Sequence, residues 1–381
     1  MLRNSLTFFS LLIYFQFFAQ TPSIKFEEYT LENGLQVILH ENHTTPIVAV
    51  SVMYHVGSKN EKPNRTGFAH FFEHLLFEGS KNIKRGEFFK YIENAGGQNN
   101  ANTSNDRTFY YEVLPSNQLE LGLWLESERL LHANINQDGI DTQNEVVKEE
   151  KRLRVDNQPY GSFFAEINKR AFKEHPYKWT TIGEMEHLDA ATLDEFIDFY
   201  HKFYVPENAI LSIAGDIDVL ATKKLINSYF GSIPNGGNNI EKVSIVEPPL
   251  EGEIRDTIYD DVQLPGVMMA YRAPEQGSKD FYAIEMMSKV LSDGESSRLN
   301  KTCVEKSQSA MYCGSFPFPS EDPGLSFVYS IANSGVNPLD LEKEINNELN
   351  LLQTSLVSDK EMQKIRNMIE NDFVGNFTSM I

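Results

Sequence analysis

The chain has 381 residues, of which 41% are apolar and 26 are Phe, and its formal net charge is −20. This length exceeds one ordinary domain and predicts two. The negative charge argues against a nucleic-acid-binding protein, and it favours basic peptides through long-range attraction. Cys303 and Cys313 are the only cysteines, and we predict two unpaired or merely neighbouring thiols.

The first 20 residues have the form of a secretory signal. Arg3 gives a short basic start, and an apolar stretch that is short for a bilayer span follows it. Ala19 suits the last position before a cleavage site, but Phe17 does not suit the position two before it. We therefore expect an exported protein, periplasmic or extracellular, and an uncleaved membrane anchor stays open as an alternative.

Periodicity and turn residues predict the elements of the first domain, residues 21–235. A hairpin is expected at 27–41 around Asn33-Gly34, with further strands at 46–56 and 209–214. Helices are expected at 66–77, 86–95, 116–132, 138–155, 160–173, 191–202 and 218–229. The Pro, Gly and Asn residues of 234–239 predict a linker at 236–245, which leaves 246–381 for a second domain.

The helix at 66–77 carries His70, Glu73 and His74 in the order H-x-x-E-H. Positions i and i+4 lie one above the other on a helix, so both imidazoles can reach one tetrahedral metal ion while Glu73 points into the same space. Gly79 is placed to end this helix. The alternative is a pair of ordinary histidines beside an incidental glutamate.

A third ligand is expected from the charged helix at 138–155, where Glu145, Glu149 and Glu150 are the candidates. Gln143, Val146, Glu150 and Leu153 recur at positions i, i+3, i+7 and i+10. This spacing predicts one inward-facing stripe of the helix, on which Glu150 is the carboxylate. An ion pair with Lys or Arg on the same helix would explain Glu150 equally well.

Three segments together resemble the pitrilysin, insulin-degrading enzyme and mitochondrial processing peptidase family of zinc peptidases, the inverzincins, and in particular its short exported bacterial members. The segment 67–79 (GFAHFFEHLLFEG) is similar to the metal helix of that family. The segment 95–111 (AGGQNNANTSNDRTFYY) is similar to the following Gly-Gly turn and long strand, and 145–154 (EVVKEEKRLR) to the helix of the distal ligand.

The resemblance implies that His70, His74 and Glu150 bind one zinc ion and that Glu73 is the general base. Three protein ligands leave a fourth position for water, whose pKa zinc lowers to near 7 and whose proton Glu73 would accept. The chain would thus be a metalloendopeptidase acting on peptides or unfolded segments. Gln143 is a departure, because some relatives carry a second carboxylate at this position. The departure weakens the contacts that orient the metal ligands, but it does not remove a metal ligand.

The resemblance also implies a substrate-binding edge strand through Asn100, Ala101, Asn102 and Thr103. A peptide would join this edge as an added strand, so its backbone would be recognised before its side chains.

The second half begins again in the manner of the first. The segment 45–54 is echoed at 264–271, and Gly57-Ser-Lys by Gly277-Ser-Lys, but the second copy has no H-x-x-E-H. We therefore predict a duplicated α+β fold in which each half is a mainly antiparallel sheet packed against helices. Only the first half would hold metal, and the second, which stops at Ile381, is expected to be incomplete.

The resemblance further implies an Arg and a Tyr, spaced Arg-x6-Tyr, that steady the substrate carbonyl. Val304 and Met311 stand at those places here, and Tyr312, one residue off, would face the opposite way on a regular strand. We therefore expect a homodimer or heterodimer in which a same-fold chain supplies these groups. The alternative function is a noncatalytic structural or assembly subunit of the same fold.

Overall fold

The computed structural model describes residues 24–237, 240 and 242–378. The predicted signal segment and residues 238, 239 and 241 of the predicted linker lie outside the described residues. Among the helices that are described, none combines the length and apolarity needed to cross a membrane. Both cysteines are buried free thiols.

The first half is built around a six-stranded sheet with the order β1-β2-β6-β3-β5-β4. The strands are β1 Glu27–Thr30, β2 Gln36–Glu41, β3 Ile47–Tyr54, β4 Gln98–Thr103, β5 Thr108–Pro115 and β6 Ala209–Gly215. Only β2 and β6 run parallel. The predicted antiparallel character is therefore confirmed for all other pairs, and β4 lies at an open edge.

Eight helices of the first half cover this sheet or connect its strands. They are α1 Phe68–Leu75, α2 Phe88–Asn94, α3 Leu119–His132, α4 Gln137–Lys151, α5 Phe163–Ala171, α6 Met185–Asp189, α7 Leu193–Phe203 and α8 Val219–Phe230. Alternate residues of the central strands, such as Val48, Val50 and Val52, are buried against them in one core. Each helix predicted from periodicity in this half is present, with shifts of a few residues at its ends.

The predicted long strand at 95–111 is instead a hairpin, because the chain turns at Ser104. The Ser104 hydroxyl oxygen accepts hydrogen bonds from the backbone N–H groups of Asp106 and Arg107, at 3.2 and 3.1 Å. A serine that bonds its own backbone in this way stabilises a tight turn. The hairpin brings β4 to the edge of the sheet beside α1.

The second half has a three-stranded antiparallel sheet with the order β7-β9-β8 and helices against it. Its elements are β7 Gly266–Ala273, α9 Lys279–Ser292, β8 Ala310–Pro317, β9 Gly324–Ala332, α10 Pro338–Thr354 and α11 Asp359–Thr378. Aromatic residues of α5 pack on this sheet, with the rings of Phe164 and Phe327 5.3 Å apart. Lys59 of the first half also pairs with Asp322 of the second, at 3.3 Å.

Candidate metal centre

The helix α1 begins at a sharp turn that only glycine fits. Gly67 has a φ of +94°, and a Cβ atom there would lie 2.8 Å from the carbonyl oxygen of Ile182. The buried carboxylate of Glu61 accepts hydrogen bonds from the N–H groups of Gly67 and Ala69, at 2.9 and 2.8 Å. The first N–H groups of a helix have no partner within the helix, and the Glu61 side chain satisfies these two. The start of α1 is therefore held in place.

The other end of α1 is held by side chains from the core. Tyr110 donates a hydrogen bond from its hydroxyl to the carbonyl oxygen of Phe72, at 3.0 Å. The guanidinium of Arg129, which is fully buried, donates to the carbonyl oxygen of Leu76 at 3.0 Å. These contacts satisfy carbonyl groups in the last turn, so the helix presents its side chains from a fixed backbone.

The structure brings together His70, His74 and Glu150. One ligand atom from each residue lies within 4.8 Å of the other two. The Nε2 atoms of His70 and His74 lie 3.5 and 3.1 Å from Oε2 of Glu150. Two imidazole nitrogens and one carboxylate oxygen are a donor set that suits zinc, and three protein ligands leave a position open. These residues fit a catalytic zinc ion.

The geometry separates Glu150 from the other two candidate carboxylates on α4. The side chain of Glu150 is 15% exposed, whereas those of Glu145 and Glu149 are 77% and 51% exposed and pair with Lys148 and Arg152. The alternative explanation of Glu150 also holds in part, because its Oε1 atom pairs with Arg154 at 2.8 Å.

The inward-facing stripe predicted on α4 is partly wrong. Val146 and Leu153, expected to face inward, are 43% and 54% exposed. The packed face of α4 is instead formed by Ile140, Gln143, Val147 and Glu150. The predicted stripe and the packed face share Gln143 and Glu150. The prediction that Glu150 faces inward is therefore unaffected by the error over Val146 and Leu153. Leu153 lies in a π-helical turn at Arg152–Asp156, where the wider winding changes the direction of side chains.

Glu73 lies beside these three residues without pairing to them directly. Its Oε2 atom accepts a hydrogen bond from the Thr103 hydroxyl at 2.6 Å. Burial is the main cause that raises the pKa of Glu73, and the Thr103 hydrogen bond opposes the rise. A carboxylate whose pKa is moved toward neutrality is suited to exchanging protons.

The electrostatics of the three converging residues follow from burial and proximity. Burial and the neighbouring His74 lower the pKa of His70 to about 4, so its imidazole is neutral at pH 7. The hydrogen bond from His74 is the main cause that lowers the pKa of Glu150. A neutral imidazole and an ionised carboxylate are the protonation states that bind a metal.

Gln143, the predicted departure from related proteins, has Glu78 as its hydrogen-bond partner. Its amide nitrogen donates to Oε1 of Glu78 at 2.6 Å, and Glu78 also pairs with Arg85. Gln143 thus ties α4 to the segment that follows α1. Gly79, expected to end α1, lies four residues beyond its last residue, Leu75.

The predicted substrate residues Asn100–Thr103 lie on β4, whose second edge is open. Ser104 N–H donates to the carbonyl oxygen of Arg107, so that pair is hydrogen-bonded. Alternation along an antiparallel ladder then turns the backbone groups of Thr103 and Ala101 away from β5, whereas those of Asn102 face Phe109. In agreement, Ala101 N–H donates to the side chain of Asn100 at 2.9 Å.

In the second half, Tyr312 does not lie on a regular strand, which was the condition for its facing away from the position of Met311. A β-bulge interrupts the register of β8 between Ala310 and Tyr312. Since a bulge breaks the alternation of side chains, Met311 and Tyr312 are both exposed. Val304 lies in a second π-helical segment, Asn300–Lys306, and packs against the core of this half.

Sequence reasoning missed three residues that support the site. Glu61 and Arg129 hold the two ends of α1, and Arg154 holds Glu150. Arg154 had a local signal, since it lies four residues after Glu150 within the helix predicted at 138–155, where an ion pair with Lys or Arg was the alternative explanation of Glu150. Glu61 and Arg129 had none, because each acts on backbone groups outside its own element.

Comparisons with known proteins match nearly the whole chain to one family of peptidases. Residues 36–184 match the family described as Insulinase (Peptidase family M16), and residues 190–369 match the Peptidase M16 inactive domain. Zinc protease PqqE of Helicobacter pylori is 32% identical over 95% of this chain and 82% of its own length. The probable mitochondrial-processing peptidase subunit beta of Schizosaccharomyces pombe is 26% identical over 83% of this chain and 71% of its own.

Solved structures show the same likeness. The crystal structure of a protease from Helicobacter pylori has a TM-score of 0.90 and 33% identity, and the match covers 94% of this chain and 87% of that one. The crystal structure of pitrilysin has a TM-score of 0.71 with 18% identity, covering 93% of this chain and 39% of that one. The second likeness shows a shared fold alone.

Proposed function

Because the chain belongs to peptidase family M16, the insulinase family, we propose that it is a zinc-dependent metalloendopeptidase that hydrolyses peptides or unfolded protein segments. The observation that carries this proposal is the convergence of His70, His74 and Glu150 within 4.8 Å, with Glu73 beside them. A noncatalytic subunit would have no need to keep all four of these groups in place.

His70, His74 and Glu150 would hold the zinc ion. Zinc bound there supplies a Lewis acid and a water activated near neutral pH. Thr103 fixes Oε2 of Glu73, which leaves Oε1 to accept a proton from the attacking water and pass it to the leaving amine. The raised pKa of Glu73 favours the first of these transfers, the acceptance of the proton.

The substrate backbone pairs with the open edge of β4. The backbone groups of Ala101 and Thr103 point to this edge, and Thr103 also contacts Glu73 through its side chain. A peptide added as a strand would therefore pass directly beside the general base. Because this recognition uses backbone groups, it suits extended or unfolded segments.

Proline at Ala101 tests this binding mode. We expect Ala101→Pro to raise the Michaelis constant about fivefold. The substitution removes an N–H donor that bonds the Asn100 side chain in the free protein and would bond the substrate in its place, a hydrogen bond worth ~1 kcal/mol. Zinc content should not change, and the hairpin should persist because proline is tolerated where an edge N–H faces solvent. The measurement is steady-state hydrolysis of several peptides.

Asn102→Pro is the matched comparison, because its N–H faces β5 instead of the open edge. This variant should lose thermal stability through a broken ladder bond, an effect that Ala101→Pro should largely lack. Unchanged Michaelis constants in Ala101→Pro across all peptides would contradict strand addition at β4.

The working enzyme contains a second chain of the same fold, either a paralogue or a second copy. Support comes from Val304 and Met311, which stand where the resemblance implies an Arg and a Tyr for the substrate carbonyl. The basic start and apolar stretch of residues 1–20 support export to the periplasm or beyond, with or without retention as an anchor.

A peptide-library digest tests the proposed function. The chain is assayed alone and with separately encoded same-fold chains, before and after treatment with a chelator and readdition of zinc. We expect weak hydrolysis alone, an increase with the partner, loss with chelator and recovery with zinc. Absence of hydrolysis by the zinc-loaded chain in every combination would favour the noncatalytic subunit.

A further inference from the structure

The two oxygens of the Glu150 carboxylate have different neighbours. Oε2 faces the imidazoles of His74 and His70, at 3.1 and 3.5 Å. Oε1 lies 2.8 Å from Nη1 of Arg154. One oxygen is thus directed to the candidate metal position, and the other is occupied by a guanidinium.

The backbone explains why Arg154 can reach this carboxylate. The helix α4 ends at Lys151, and the chain continues as the π-helical turn Arg152–Asp156. Residues four apart are neighbours on such a surface, so Arg154 returns to Glu150. Arg152 instead pairs with Glu149 on the exposed side. Short π-helical segments within helices occur frequently at functional sites.

Arg154 lies on the open side of the site. Its side chain is 77% exposed, whereas that of Glu150 is 15% exposed, so the guanidinium covers the solvent side of a largely buried carboxylate. Its charge adds to the effect of burial, which lowers the pKa of His70, and opposes the effect of burial, which raises the pKa of Glu73. The guanidinium therefore faces the same space as the candidate ligands and the general base.

We propose that Arg154 is a positioning residue that occupies Oε1 of Glu150, so that this carboxylate offers only Oε2 to the metal. Carboxylates bind metals through one or two oxygens, and a second partner fixes which of these occurs. If Oε1 were free to bind as well, it would compete for the position that water and substrate need. This role rests on the proposed function, because it requires zinc at His70, His74 and Glu150.

The competing explanation is an ordinary exposed ion pair between residues four apart, which contributes little to stability or function. The two explanations differ in what removal of Arg154 does to the ligation by Glu150. An ion pair of no consequence leaves the ligation and the turnover number unchanged.

The test compares Arg154→Met, Arg154→Lys and the control Arg152→Met in the purified, zinc-loaded protein. Met keeps much of the side-chain length and removes every N–H donor. Arg152→Met breaks a similar ion pair two residues away, outside the site. Zinc K-edge X-ray absorption reports the combined number of nitrogen and oxygen atoms bound to zinc, and peptide hydrolysis with the partner chain reports kcat and KM separately.

For Arg154→Met we expect one more nitrogen or oxygen atom bound to zinc than in the wild type, and a kcat about 10- to 100-fold lower, with zinc still bound and KM little changed. Arg154→Lys should recover part of kcat, and Arg152→Met should match the wild type. If zinc-loaded Arg154→Met keeps both the wild-type number of atoms bound to zinc and the wild-type kcat, the role of Arg154 is overturned, while the proposed function stands. Failure of the wild type to bind zinc would instead reject the proposed function, and this role with it.

Discussion

Replacing Glu73 with Gln is expected to lower kcat for peptide hydrolysis at least about 100-fold, the usual contribution of a general base. The amide has the shape of the carboxylate, and its oxygen can still accept the hydrogen bond from the Thr103 hydroxyl. It cannot accept a proton at neutral pH. Because Glu73 is not among the three converging ligands, zinc content should stay at one ion per chain. Hydrolysis rates and metal analysis on the same preparation check both parts.

Glu145→Gln is the control for this substitution. It makes the same chemical change on a side chain that is 77% exposed on α4, so kcat should remain that of the wild type. Comparable turnover in Glu73→Gln and Glu145→Gln would remove Glu73 from the chemistry. Loss of zinc in Glu73→Gln would mean that Glu73 acts as a ligand or supports one.

Arg129→Met is expected to destabilise the first half by about 3–5 kcal/mol, the cost of breaking a buried ionic network by removing one partner. The Arg129 guanidinium donates to Glu126 at 3.0 Å and lies over three aromatic rings, with Tyr110 the nearest at 4.0 Å. Burial, together with the neighbouring Glu126, raises the pKa of Glu112, which favours its neutral form. A neutral Glu112 leaves one carboxylate charge to pair with the Arg129 guanidinium. In Arg129→Met that carboxylate would be buried without a cationic partner.

Arg152→Met is the matched control, since Arg152–Glu149 and Arg129–Glu126 are both Arg–Glu pairs at i,i+3. The exposed pair should contribute no more than about 1 kcal/mol. Urea unfolding followed by circular dichroism measures both variants. Equal midpoints for the two would contradict a structural role for the buried network. Because Arg129 also bonds the carbonyl oxygen of Leu76, Arg129→Met should loosen the end of α1 before global unfolding.

The parts of the site that the sequence predicts are those carried within single helices. His70, Glu73 and His74 share one turn of α1, and the side of α4 that bears Glu150 follows from helical spacing. The error over Val146 and Leu153 shows the limit of that spacing. Two overlapping apolar sets can be drawn through one charged helix, and packing against α1 decides between them.

Strand interiors show a different limit. Alternation predicted β3 and β6 well, but it did not predict the turn at Ser104, which depends on local hydrogen bonds, or the bulge near Met311. The resemblance implies one long strand through Ser104, Asn105 and Asp106, whereas these residues form the turn between β4 and β5. Each departure changes which way side chains face, which affects functional residues more than the fold.

The supports of α1 lie beyond what local patterns report. Arg129 and Leu76 are 53 positions apart in the chain, and their contact exists only once α3 and α1 have packed into one core. Glu61 is close in sequence to Gly67 but belongs to no helix that would reveal its role. Such contacts follow from tertiary packing, so periodicity cannot predict them.

Zinc content is the measurement that tests the assignment of His70, His74 and Glu150 most directly. Elemental analysis of the purified chain should give one zinc ion per wild-type chain, near-complete loss in His74→Ala and weaker retention in Glu150→Gln. Glu149→Gln, the same change one residue away on an exposed side chain, should keep its zinc. Equal zinc in the wild type and His74→Ala, or loss in Glu149→Gln but not in Glu150→Gln, would contradict this assignment.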